Sequence, residues 1–444
     1  MPSLQHTDPE IAGLITEETE RQRDGLMLIP SENHSSRAVL DALSTTLNDK
    51  YAEGYPGARY YSGNAVVDKL ETLVQNRVKT LFGVPFANVQ PYSGSTANLA
   101  VYVATCEPGD PIMGLHLLDG GHLTHGWKYS ATSKLWKSFP YHVLPDGSAN
   151  IEEVRALARE HKPKLIWCGG TAVPRAIPFA AFAEIADEVG AYLVADVSHI
   201  AGLIVGGQHE NPAPYVHLIT TTTHKTLRGP RGALIMVTEK GLQKDPDLAK
   251  KIDKAIIPGT QGGPHMHSIA GIGVALKEAA EPAFKDYAAR IVQNAKALGN
   301  ALTQKGFSLV SGGTDNHLLL IDLSSTGVGR GKFFQLALEC VGLSANMNAV
   351  PGDQGSALLP SGLRLGTPAM TSRGLGTAEM EHVATWIAAV ADHIKEFQLP
   401  STKEERAAVM KTFTESLATD PFYKTLHNEV IAFSHRFPLP SDSK

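Results

Sequence analysis

The sequence predicts a largely parallel α/β domain followed by a smaller α+β domain. Between residues 64 and 280, helical periodicity alternates with short apolar runs that end in turn residues: "KLIWCGG", "AYLVADVS", "VHLITTTT" and "GALIMVT". Runs that are apolar throughout, rather than every second residue, are buried on both faces. Interleaved with helices, they build a mostly parallel sheet. After about residue 280 the texture changes to longer amphipathic helices with isolated strand-like runs between them. At 444 residues the chain has room for two or three domains, and its core needs no disulfide staples.

Taken in order, residues 8–24 and 35–50 read as two helices, an N-terminal arm (1–50) ahead of the first glycine-rich stretch. The large domain spans 51–279. Within it "VDKLETLVQNRVKTLFG" is helical, and "ANVQPYSGSTANLAVYVAT" is an extended entry, a turn and a helix. "NIEEVRALAREH" starts at Asn150 with Glu153 three residues on, a capping-box variant. The small domain spans 280–444. It opens with the long helix "FKDYAARIVQNAKALGNALTQKG" and continues through "HLLLIDLSS", the helix "GKFFQLALECVG", the run "SGLRLGTPAMTSRG" and the helix "TAEMEHVATWIAAVADHIKEF". The tail from 400 reads as one more helix with a Pro- and Ser-containing end. No internal repeat or low-complexity block interrupts this order.

Hydrophobic residues are 43% and charged residues 19% of the chain, an ordinary globular balance. The net charge of −5 offers no broad electrostatic case for nucleic acid, so an anionic ligand needs a local positive pocket. The three cysteines, Cys106, Cys168 and Cys340, are too widely spaced for a disulfide framework or a zinc pattern. They fit a reducing, cytoplasmic setting. The opening "MPSLQHTDPE" has neither the basic nor the apolar region of a secretory signal, and no apolar run is long enough to cross a bilayer. Neither nucleic acid nor membrane is expected as a partner.

The stretch "TTTTHKTLRGPRG" pushes Lys225 out of the carboxyl end of a strand, where open α/β sheets bind ligands. A partly desolvated lysine loses basicity and can condense with an aldehyde. His224, Arg228 and Arg231 are expected to crowd it with positive charge. Asp196 sits near the end of "AYLVADVSHIAG"; it is open to reading as a metal ligand, as a cap of the next element, or as the partner of a protonated pyridine nitrogen. His199 follows three residues later, placed to orient it or to sit against a ring. "PYSGSTANLA" sets Ser93, Gly94 and Ser95 before a helix. This is either a plain capping turn or, with the lysine and the aspartate, a phosphate cup. "LHLLDGGHLTHG" holds His116, His122 and His125, whose spacing matches no zinc pattern, so no metal is expected; beside the glycine pair His122 is placed to stack on a flat ring. A phosphate, a pyridine nitrogen, a stacked face and an aldehyde on lysine together describe pyridoxal phosphate.

Eight segments then appear in one order: "IPSENHSS", "KYAEGYPGARYYSG", "VQPYSGSTANLAVY", "GGHLTHG", "DVSHIAG", "TTTTHKTLRGPRG", "PGTQGGPHMH" and "SGLRLGTPAMTSRG". Over nearly its whole length the chain resembles the serine hydroxymethyltransferases. The resemblance implies a fold-type I, aspartate aminotransferase-like architecture with a mostly parallel, seven-stranded mixed sheet. It implies pyridoxal 5'-phosphate as cofactor and tetrahydrofolate as cosubstrate. By the same resemblance Lys225 is the Schiff-base lysine, Asp196 the partner of the ring nitrogen, and His122 the stacking ring. His199 and Thr171 lie near the phenolic oxygen, Thr171 standing where a serine is usual. Ser93, Gly94 and Ser95 hold the phosphate, and Gly262 and Gly263 reach it from a second copy of the chain in a homodimer with shared sites. Arg364 and Ser31 bind the substrate carboxylate, with Tyr51 and Tyr61 bordering the site. Leu117, Leu123 and Asn348 line the folate site. Lys225, Glu53 and His224 are the catalytic set, Glu53 handling protons on the folate side. Departures occur at Pro30, Ala58, Ser62, Asp119 and Val173-Pro174. Only Ala58 removes a positive charge near the entrance, which weakens the hold on an anionic folate tail.

The activity implied is reversible transfer of the hydroxymethyl carbon of serine to tetrahydrofolate, giving glycine and methylenetetrahydrofolate. An aldolase, a transaldolase or a methylserine hydroxymethyltransferase would share the lysine and the aspartate. Glu53 together with "NMNAVPGD" favours the folate route. A non-catalytic relic used for binding would not be expected to keep the lysine.

Overall fold

Alternating apolar runs and helices close into one seven-stranded sheet in the computed structural model, which describes residues 3–442 apart from 357 and 401. In chain order its strands are β1 (Phe86–Asn88), β2 (Pro111–Leu115), β3 (Lys137–Tyr141), β4 (Leu165–Cys168), β5 (Tyr192–Asp196), β6 (Leu218–Thr222) and β7 (Ala233–Val237). Across the sheet they run β1-β7-β6-β5-β4-β2-β3. Only β7 is antiparallel to its neighbours. The sheet is the mixed, mostly parallel one expected. Strands β4 to β7 are buried at every residue, which explains their unbroken apolar sequences. Their side chains alternate between two cores. Ile166, Leu193, Ile219 and Leu234 face one core, while Leu165, Trp167, Val194 and Ile235 face the other.

The helices that matter for this sheet and its site are α1 (Pro9–Asp24), α2 (Arg37–Leu43), α3 (Ala65–Phe82), α4 (Gly94–Thr105), α5 (Ile151–His161), α6 (Phe179–Val189), α7 (Met266–Ala279) and α8 (Pro282–Gln304). Helices α3, α6 and α7 cover the first face through Val74, Phe182 and Ile269. Helix α4 covers the second through Ala97, Ala100 and Val101. Helix α8 serves two bodies: Phe284, Tyr287 and Ile291 belong to the large core, and Leu298 and Leu302 to the C-terminal one.

The C-terminal body is an antiparallel sheet of β8 (Ser308–Leu309), β9 (Leu318–Asp322), β10 (Asn346–Asn348) and β11 (Gly362–Gly366), ordered β8-β9-β11-β10. Helices α9 (Gly331–Cys340), α10 (Thr377–His393), α11 (Lys403–Thr419) and α12 (Pro421–Ser434) pack around it. Leu26 and Leu28 of the N-terminal arm are buried in this core, because Leu26–Met27 pairs in parallel with Leu343–Ser344.

Four sequence expectations are corrected. Strands β2 and β3, "PIMGL" and "KSFPY", were not anticipated; proline and glycine dilute their β signal, and pairing with β4 and with each other makes them strands. The helix expected over 35–50 is only α2, capped by Ser36 (Val39 N to Oγ, 3.2 Å), with a separate 3₁₀ turn at Thr46–Asp49. The capping box at Asn150 is half formed. Asn150 Oδ1 accepts from Glu153 N at 3.2 Å, but the Glu153 carboxylate accepts from His142 N at 2.8 Å instead of turning back. The tail is two helices rather than one, because Asp420 caps a new start at Pro421. Among the described residues no helix is long and apolar enough to cross a membrane.

Candidate active site

A cavity of about 510 Å³ opens at the carboxyl ends of β5 and β6, where the large sheet meets β10 and β11 of the C-terminal body. It is lined by Lys225, His199, His122, Thr171, Ser31 and Arg364, by Ser93, Gly94 and Ser95, and by Leu117, Leu123, His224 and Asn348. A narrow cleft at its floor reaches Asp196.

Lys225 leaves β6 on a tightly tied turn. Thr223 Oγ1 donates to Pro230 O (2.6 Å), Gly229 N to Thr223 O (2.8 Å), and Asn33 Nδ2 to Lys225 O (2.9 Å). The side chain is buried, and among the described residues its ammonium has no carboxylate within ion-pair distance. Burial is the main reason its pKa falls to about 8; Arg364 and Arg231 lower it further, and Asp196 opposes them. A substantial neutral fraction at pH 7–8 is what a nucleophilic amine needs. The expected crowding by Arg228 is not found. Arg228 takes a left-handed backbone (φ 57°) and lays its guanidinium over Tyr287, 4.1 Å from the ring centre.

Asp196 is buried at the end of β5, yet burial, which favours its neutral form, is overcome. His125 Nε2 lies 3.1 Å from Oδ2 and Asn98 Nδ2 donates to the same oxygen (2.9 Å), while Ser198 N and Oγ donate to Oδ1 (3.1 and 2.6 Å). These groups hold the carboxyl well below the usual range, so it is an anion at the cavity floor. His125 is in turn stacked on Trp167 (centroids 4.9 Å, 11°). Asn98, His125 and Ser198 were not singled out as site residues in the sequence. The legible signal was Asn98 itself, a polar residue on the apolar face of α4.

Helix α4 begins at this cavity. Ser93 caps it in a box with Thr96, whose Oγ1 accepts from Ser93 N at 3.0 Å. Gly94 is required by close approach: a Cβ there would lie 2.8 Å from Thr222 Cγ2. The first turn's free N–H groups and the helix dipole suit an anion. His122, held by Thr124 (Nδ1 to Oγ1, 2.8 Å), is desolvated and pushed down to about 4, so it presents a neutral ring. His224 is likewise neutral, near 3, by burial and the nearby Arg231.

Arg364 projects from the middle of β11. Its Nε donates to Asn346 Oδ1 (3.1 Å) and one Nη1 hydrogen to the carbonyl of Thr171. Among the described residues it has no carboxylate partner, and burial lowers its pKa to about 10, so it remains a cation. An unpaired guanidinium in a cavity is a seat for a carboxylate. The Thr171 hydroxyl faces the carbonyls of Gly120 (3.2 Å) and Gly121 (3.3 Å).

The histidines of "LHLLDGGHLTHG" divide. His122 and His125 turn to Asp196, whereas His116 sits with Asp119 and His142 at the ends of β2 and β3. Five expected site residues do not line the Lys225 cavity: Tyr51, Glu53, Tyr61, Gly262 and Gly263. They group elsewhere, with Tyr51 and Tyr61 5.0 Å apart, and ideal Cβ positions on Gly262 and Gly263 approaching Glu53 Oε1 (3.3 Å) and the Tyr51 ring (3.1 Å). Tyr51 and Tyr61 are exposed, 56% and 49%. The single chain thus carries two separate groups of expected site residues.

Comparison with known proteins is consistent along the chain. The profile of the serine hydroxymethyltransferase family matches residues 4–387. A serine hydroxymethyltransferase of Acidothermus cellulolyticus is 52% identical over 423 residues, 94% of this chain and 97% of the relative. One from Sorangium cellulosum is 54% identical over 395 residues (89% and 92%), and one from a Cyanothece species 52% over 386 (87% and 89%).

Proposed function

Because the chain belongs to the serine hydroxymethyltransferase family, we propose that it moves a hydroxymethyl carbon between serine and tetrahydrofolate, yielding glycine and methylenetetrahydrofolate, with pyridoxal 5'-phosphate seated at Lys225. The observation that carries this reading is a cavity, with the cleft at its floor, that brings together an amine and a guanidinium without carboxylate partners among the described residues and a buried acid. The donor set fits the cofactor: the N-terminus of α4 with Ser93, Gly94 and Ser95 for a phosphate, Asp196 for a protonated ring nitrogen, His122 for a ring face, and Lys225 for an aldehyde. When bound, pyridoxal phosphate supplies an electron sink for the carbanion left as the Cα–Cβ bond of serine breaks.

The chain's own residues do the rest. Asp196, kept ionised by His125, Asn98 and Ser198, would hold a proton on the cofactor's ring nitrogen. Arg364, aided by Ser31, fixes the substrate carboxylate and so orients the bond to be broken. Leu117, Leu123 and Asn348 offer an apolar wall with one amide to the pterin. Glu53 and the two tyrosines are off this cavity, which supports a homodimer in which Tyr51, Glu53, Tyr61, Gly262 and Gly263 of one copy complete the cavity of the other. The exposed rings of Tyr51 and Tyr61 support this reading, since a second copy would cover them. In that arrangement Glu53 handles the proton on the folate side. His224 stays neutral beside Lys225, its Nε2 facing Arg231 Nη1 at 3.3 Å, and its place in the catalytic set belongs to this reading. The division of the chain at residues 50 and 279 belongs to this reading, with α8 as the shared strut between the bodies. So does a cytoplasmic location, supported by unpaired cysteines of which Cys106 and Cys168 are buried with thiols pushed far above their usual value.

The test is serine turnover with and without tetrahydrofolate. Glycine formation should require tetrahydrofolate for its full rate. Serine cleavage at full rate without it would refute the folate route.

A further inference from the structure

His317 is wholly buried at the head of β9, in a body different from that of His199, and its Nε2 lies 3.1 Å from His199 Nδ1. The segment around it is locked to the large domain. Thr314 Oγ1 donates to Pro174 O (3.1 Å) and Asn316 Nδ2 to Val173 O (2.9 Å), while within its own body His317 O accepts from Thr367 N (3.1 Å). Lys225 and Arg364 flank the pair, and burial keeps both rings neutral.

One hydrogen must lie between the two facing nitrogens, and each neutral ring has only one N–H. Were it on His199 Nδ1, His317 would carry its own hydrogen on Nδ1, which is buried without a partner among the described residues. That arrangement strands a donor. The reverse leaves only a lone pair unfilled at the same atom, which is tolerated more readily. We infer that His317 donates from Nε2 to His199 Nδ1 and thereby holds His199 as the Nε2–H tautomer, a hydrogen-bond donor aimed into the cavity. His317 is a positioning residue for the cofactor's phenolic oxygen, an assignment that rests on the proposed pyridoxal phosphate chemistry. It also ties the state of a cofactor-facing group to the seating of the C-terminal body, since β9 pairs directly with the strand bearing Arg364.

The test uses full-length protein labelled with ¹⁵N-histidine, with and without pyridoxal phosphate, the His199 signals being assigned with His199→Asn. The wild type should show Nε2 protonated and Nδ1 bare on His199. His317→Leu should lose this single tautomer, and His317→Gln, whose amide can donate in the same place, should keep it. In the loaded protein, His317→Leu should move the pH midpoint of the cofactor's visible band by about one unit, a tenfold change in proton affinity, with Gln restoring it. A proton on His199 Nδ1 in the wild type, or an unchanged tautomer in His317→Leu, overturns the inference. Failure of the wild type to take up pyridoxal phosphate would instead overturn the proposed function, and the tautomer would still be read in the cofactor-free protein.

Discussion

Replacing Arg364 by alanine should raise the Michaelis constant for serine far more than it changes cofactor binding. A guanidinium has five N–H donors. Asn346 takes the one on Nε and the Thr171 carbonyl takes one on Nη1, which leaves hydrogens on both terminal nitrogens facing the cavity. Two parallel bonds to a carboxylate are therefore available. Hydrogen bonds to charged groups contribute about 1.5–3 kcal/mol each, so losing both costs about 3–6 kcal/mol, or roughly 10²–10⁴ in affinity. Water entering the vacated space recovers part of this, so the lower bound of about 10² is the expectation. Arg364→Lys retains a charge without the fork and should fall between. Steady-state kinetics in serine, with the visible band of the bound cofactor followed in parallel, separates the effects. A Michaelis constant within about threefold of wild type, at unchanged cofactor occupancy, would place the carboxylate elsewhere and refute the reasoning.

Lys225→Ala should abolish the covalent cofactor's visible absorption while leaving the circular dichroism spectrum unchanged; a retained band and turnover would mean another amine is used. Glu53→Gln should bind cofactor normally but lose at least ~10² in folate-dependent turnover, the low end for acid–base catalysis. Co-expressed with Lys225→Ala, it should regain activity, because one of the two cavities in a mixed dimer is then intact; absence of any recovery would argue against shared sites. Stability of the cofactor-free protein should fall steeply as pH drops from about 6.5 to 4. His34, His217 and His317 are buried with pKa values of about 4, 4 and 3, lowered mainly by desolvation, against 6.5 when unfolded. Across that window the unfolded chain binds protons the folded one refuses, so the contribution is intact above 6.5 and is lost on acidification. At about 1.4 kcal/mol per proton per pH unit, three histidines give a slope that peaks at about 4 kcal/mol per unit near the middle of that window. Urea unfolding at several pH values would expose a flat profile if these rings were in fact charged in the fold.

Much of the chemistry is written locally. A run of β-branched residues reads as a buried strand, and a lysine a few residues past its end sits at the sheet's carboxyl edge, which is where Lys225 lies. Asp196 at the end of "AYLVAD" and the turn before "NLAVY" are legible for the same reason, since strand ends and helix starts are short-range properties. What surrounds them is not local. Asn98 and His125 reach the Asp196 carboxylate from 98 and 71 residues away, and His317 reaches His199 across 118 residues. Strands β2 and β3 exist because they have neighbours to pair with, not because "PIMGL" or "KSFPY" favours extension. Glu153 abandons its cap for His142 because β3 ends beside it. Sequence by itself determined which residue types stand at the ends of the strands, because side-chain periodicity and turn chemistry act over a few residues. Only the tertiary structure decided which distant groups share a hydrogen bond, and so which acid is ionised, which amine is free and which residues, Glu53 among them, lie outside the cavity of their own chain.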